Sequence, residues 1–165
     1  MHEATTTLAR PRDEYGGTED RPLRGYLALM SAYGATAATV GALVVRSKRR
    51  PSFADLALAA VATQKLSRVL TKDSITSPVR APFVRYDEPA GAGEVNEQVR
   101  RDGPTHALGE LLTCPLCMDV WVGTGFVGGM SVAPRFTRFV ASVFAVTSVS
   151  NALHFAWDAL KQTEA

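Results

Sequence analysis

Cys114 and Cys117 are the only cysteines in this 165-residue chain, and they lie in LLTCPLCMDVWV, residues 111–122. Cys-x-x-Cys supports three kinds of chemistry, and the backbone around it decides among them. On a helix running on from Pro104, His106, Glu110 and Cys114 recur at i, i+4 and i+8, and Cys117 follows one turn later. Zinc accepts thiolate, imidazole and carboxylate donors in a tetrahedral shell, so the candidate metal ligands are Cys114, Cys117, His106 and Glu110. An i to i+8 stripe is ~12 Å long, so one ion is reached only if the chain bends at Pro115 or a second protomer contributes. Alternatively, Thr113-Cys114-Pro115 starts a new helix, with the proline in the first turn where its missing N–H is not needed. Cysteines at a helix N-terminus are stabilised as thiolates and cycle between dithiol and disulfide. That restart breaks the His106–Cys114 stripe, so the metal and redox readings require opposite backbones. The third reading is structural: two small apolar side chains packed together, or a disulfide. No cofactor other than zinc is implied.

The motif sits where a polar region gives way to an apolar one, and the flanking elements read as membrane helices. Residues 1–21 lack apolar periodicity and are expected to form a disordered polar tail, with acidic residues that make a poor secretory signal. The rest, 22–165, reads as one helical membrane domain. Residues 23–45 contain no formal charge past Arg24 and stop at RSKRR, residues 46–50. The uncharged part is ~31 Å long as a helix, matching a hydrocarbon core. Gly34, Ala38 and Gly41 form a small-residue stripe suited to close helix packing.

Ser52 with Asp55 three residues on predicts a capping box opening a short helix, 53–70, whose Lys65, Arg68 and Lys72 share one face and snorkel at its far edge. Residues 120–134, extended back through Leu116, give a third membrane segment rich in close-packing glycines, and 139–157 a fourth. The expected fold is therefore all-α, a small polytopic membrane protein with about four transmembrane or membrane-associated helices and one long polar loop, 71–105. In that loop Ser77-Pro78 and Ala81-Pro82 predict extended backbone, and DEPAGAGE, residues 87–94, a turn. Glu94 and Glu97 could grip a cation, but the leading reading is a solvated charge run. Asn151, His154 and Asp158 are predicted to face the bundle interior, with His154 and Asp158 paired. Trp121 and Trp157 read as interfacial anchors. Cations at 46–50, Arg135 and Arg138 assign that end to the cytoplasm, with the N-terminus outside.

Several short signatures occur in order: Lys65-Leu66-Ser67-Arg68, Thr71-Lys72-Asp73, Arg80-Ala81-Pro82-Phe83, and Glu110-Leu111-Leu112-Thr113-Cys114-Pro115 with Cys117 and Trp121. In these the chain, over residues 53–157, resembles a bacterial family of integral membrane proteins of unknown function, one Bacillus member of which is labelled a sporulation protein. The resemblance implies a multi-pass protein of the cell membrane and brings no established activity, substrate or active residue.

Net charge is +2 and no zinc-finger spacing, P-loop or RNA-binding motif occurs, which argues against a nucleic-acid partner. The expected partners are the lipid bilayer and a second copy or another membrane protein. Without a nucleophile–base–acid arrangement, the leading expectation is a non-enzymatic structural or partner-binding protein. The alternative is a membrane thiol-redox or zinc-binding protein built on the cysteines.

Overall fold

The computed structural model describes residues 21–100 and 105–163. Four long helices make the body: α1 (Leu23–Ser47) and α2 (Phe53–Thr71), then, after the polar segment, α5 (Pro115–Val132) and α6 (Pro134–Thr163). Two of them, α1 and α6, are long and apolar enough to cross a membrane. A third span is obtained if α5 is joined to the short helix α4 (His106–Thr113), which meets it at an 81° bend. The architecture is thus that of a small, mostly helical polytopic membrane protein, with two or three such spans where about four membrane segments were expected. The tail, residues 1–20, Pro104 and the polar residues beside it lie outside the described residues.

Cross-helix contacts fix the order of the bundle. Arg138 meets Asp55, Ser148 meets Gln64, and Asn151 meets Lys65, so α2 and α6 run side by side in the same direction. Tyr33 meets Thr124, and α1 likewise runs alongside α5. One end of the bundle therefore carries the basic 46–50 turn and the α5–α6 junction; the other carries the described residues between Lys72 and Cys114. The core is small: Ala59 and Ala62 of α2, Phe126 and Met130 of α5, and Ala141 of α6. Most remaining large apolar side chains face outward, as they do when the solvent is lipid.

Glycine has two different uses here. A Cβ on Gly129 would stand 2.6 Å from Thr137 Oγ1, so the α5–α6 approach requires its absence, whereas Gly34 and Gly41 have nothing within 4 Å. The glycines of the predicted small-residue stripe of α1 thus pack against nothing among the described residues.

The segment from 71 to 105 is not a long loop. A 3-10 turn (Ser74–Thr76) leads into the one-turn helix α3 (Ser77–Arg80), then an antiparallel hairpin, β1 (Val84–Gly91) and β2 (Glu94–Val99). The turn falls in the predicted place, with Gly91 and Gly93 at φ 118° and 82°, a region glycine enters without steric cost. The prolines behave differently from expectation. Ser77 and Ala81 both have α-helical dihedrals, and Pro78 is accommodated in the first turn of α3, where no N–H is required.

One buried side chain organises this unit. Arg80 has 0% exposure and donates to both carboxylate oxygens of Glu97, to the Leu70 and Asp73 carbonyls, and to Thr76 and Ser77 hydroxyls. The guanidinium joins the end of α2, the 3-10 turn, α3 and β2 around one charge. Arg68 and Glu94 form a second, more exposed bidentate pair between α2 and β2. Glu94 and Glu97 therefore do grip cations, each an arginine.

Candidate functional site

The two cysteines lie at the bend between α4 and α5. Helix α4 ends at Thr113; Cys114 is extended, at φ −106° and ψ 103°, and α5 begins at Pro115. Proline at the first helical position lacks only an N–H that would have gone unpaired. Cys114 is the N-cap, and its Sγ accepts a hydrogen bond from the Cys117 N–H at 3.2 Å. The pair forms a disulfide with Cα atoms 5.2 Å apart. Cys117 is exposed and Cys114 half-buried, so the two sulfurs differ in access.

This backbone is the restart geometry, and it divides the predicted ligand set into two pairs. His106 and Glu110 remain together on α4, with Nε2 3.5 Å from Oε1, while His106 Nδ1 lies 3.0 Å from the Arg100 carbonyl. Helix α4 packs closely on α1, where a Cβ on Gly25 would stand 2.7 Å from the Ala107 Cβ. Cys114 and Cys117 are bonded to each other, and in that state they present no thiolate to a metal. Among the described residues no three His, Cys, Asp or Glu groups stand close enough to share an ion. A zinc site on these residues would need the disulfide reduced and the two pairs brought together.

The other predicted residues separate. Asn151 reaches into the bundle: with its amide oriented to satisfy both groups, it donates to the Thr147 carbonyl and accepts from Lys65 Nζ at 2.9 Å. His154 and Asp158 do not face the interior. Both are exposed, and Asp158 lies 4.0 Å from Lys161 rather than pairing with His154. The reason is helical phase: the face of α6 that meets α2 carries Ser148 and Asn151, and His154 falls outside it. Trp157 is exposed with Lys161 over its ring, as an interfacial anchor requires, whereas Trp121 packs edge-on to Tyr33, 5.3 Å between centroids. Two features had no sequence signature. Asp119 Oδ1 is buried without a hydrogen-bond partner among the described residues, beside a cavity of about 380 Å³ that Thr63 and Gln64 also line. A larger cleft, about 940 Å³, opens between α2, α6 and the hairpin turn.

Fold and site together define a bacterial multi-pass membrane protein with a disulfide-capped helix at one end of its bundle. Residues 58–157 match the family described as protein of unknown function (DUF1360), and the chain belongs to that family. No curated protein and no solved structure matches it.

Proposed function

We propose that the protein is a membrane thiol–disulfide exchange protein, with Cys114 and Cys117 as the reacting pair. The observation that carries this is the N-cap geometry: an exposed Cys117 sulfur bonded to a Cys114 sulfur that a helix N-terminus already solvates. A thiolate of a dithiol substrate attacks Cys117 Sγ, and the Cys114–Cys117 bond breaks. Cys114 leaves as thiolate, held by the Cys117 N–H and the positive end of α5. The substrate's second thiolate then attacks its own sulfur in the mixed disulfide. This forms the substrate disulfide and releases Cys117. Two electrons pass to the cysteine pair, and protons from water accompany them.

In this reading all four long helices cross the bilayer; α2 and α5, at 19 and 18 residues, are ~28 and ~27 Å long. The first span orients the bundle. Arg46, Lys48, Arg49 and Arg50 at its end outweigh Arg21 and Arg24 at its start, so the basic end is cytoplasmic and the cysteines lie outside, where disulfides persist. The test is a redox titration of the purified protein, trapping free thiols with a maleimide at each potential. Exchange proteins equilibrate between about −270 and −120 mV. A potential below about −300 mV, or a disulfide opened only by unfolding, would refute the proposal.

A second reading, a partner-binding protein without catalysis, is favoured by Ile75, Val79 and Tyr86, large apolar residues exposed on the polar segment. It predicts unchanged function on Cys114→Ser with Cys117→Ser, and capture of another membrane protein or a second copy through that surface.

A further inference from the structure

In the cleft between α2, α6 and the hairpin turn one cation, Lys65, has no ion-pair partner among the described residues, although Asp73 lines the same cleft. Lys65 lies half-buried on its wall. Its ammonium donates to Asn151, a neutral group, and among the described residues no carboxylate comes within ion-pairing range of it. An ammonium has three donors, so two remain for another molecule. Arg68, one turn on, lines the same cleft, but Glu94 already neutralises it through two hydrogen bonds. The depth is also informative. Lys65 is ~18 Å along the ~28 Å of α2 and Asn151 ~25 Å along α6 from the basic end, so the pair lies in the half of the bundle nearer the polar segment, with the headgroup level within a lysine's snorkelling reach. Phe155 and Ile75 line the cleft with their side chains exposed, which gives it an apolar wall beside the polar one.

We infer that this cleft binds the phosphodiester headgroup of an anionic lipid, with Lys65 as its cationic contact and Phe155 and Ile75 against the acyl chains. Asp73 also lines the cleft, and its negative charge opposes a dianionic monoester more strongly than a singly charged diester. The site makes no use of the cysteines, so it stands or falls apart from the thiol chemistry.

The test uses the full chain in phosphatidylcholine nanodiscs with and without phosphatidylglycerol, and bound lipid is read by native mass spectrometry. Wild type is expected to enrich phosphatidylglycerol, Lys65→Arg to retain the enrichment, and Lys65→Gln to lose about fivefold in affinity, the worth of one cation near a charged surface. Soluble glycerophosphoglycerol separates the sources of the group. Weak binding assigns the site to lipid, whereas binding as tight as the lipid's, lost in Lys65→Gln, assigns it to a free diester. Equal enrichment by wild type and Lys65→Gln would overturn the inference. A measurement on wild type alone also decides: phosphatidylglycerol should slow amide hydrogen exchange at 73–75 and 90–94, and no slowing would equally overturn it.

Discussion

Replacing Arg80 by alanine should unlock the whole hairpin end while sparing the helical bundle. Arg80 is fully enclosed, and the Glu97 side chain beside it is 5% exposed. Removing the guanidinium leaves a buried carboxylate without a partner, together with two carbonyls and two hydroxyls that lose a donor. Breaking a buried ion pair by removing one member costs about 3–5 kcal/mol, chiefly through the charge left behind. That is at least a hundredfold, by order of magnitude, in the equilibrium for local opening. The assay is amide exchange and limited proteolysis across residues 72–100 of detergent-solubilised protein, with exchange in α6 as internal control. Glu97→Gln, which removes the charge but keeps the shape, should cost less than Arg80→Ala. The double variant Arg80→Ala with Glu97→Ala should be less damaged than the sum of its single changes. Strict additivity, or an opening equilibrium within fivefold of wild type for Arg80→Ala, would refute the reasoning.

Asp55 joins the capping box at the start of α2 to the Arg138 pair, at 2.7 and 2.9 Å, so Asp55→Ala should lower stability by about 2–3 kcal/mol, measured by thermal unfolding in detergent. Glu94→Ala, which breaks a more exposed pair, should cost under about 1 kcal/mol in the same assay. Gly129→Ala should destabilise the α5–α6 contact by about 1–3 kcal/mol through crowding on Thr137, whereas Gly125→Ala, with open space around it, should be neutral or slightly stabilising.

Much of the scaffold was legible because it depends on local composition. A run of uncharged residues long enough to span lipid has few alternatives to a helix, and the Ser52–Asp55 spacing announced the start of α2. The glycines of 87–94 likewise marked the hairpin turn, since only a positive φ closes it. The strands flanking that turn were missed. Their residues, VRYDEPAG and EVNEQV, show no apolar alternation, because the ladder is held by backbone pairing and by arginines arriving from α2 and α3.

By itself, the sequence determined that this chain enters a membrane, where its first two long helices begin, and which two sulfurs stand within one turn of each other, since transfer of apolar side chains and helix-start signals act over a few residues. It left open whether Cys114 faced His106 on a continuous helix or capped a new one, because both backbones satisfy the same local rules. Tertiary structure decided that, through the bend at Cys114 and the packing of α4 against α1. It also enclosed Arg80 with Glu97 and left Lys65, among the described residues, with a neutral partner and no carboxylate. Such pairings join residues far apart in the chain, and their energy depends on burial, which no sequence spacing reports.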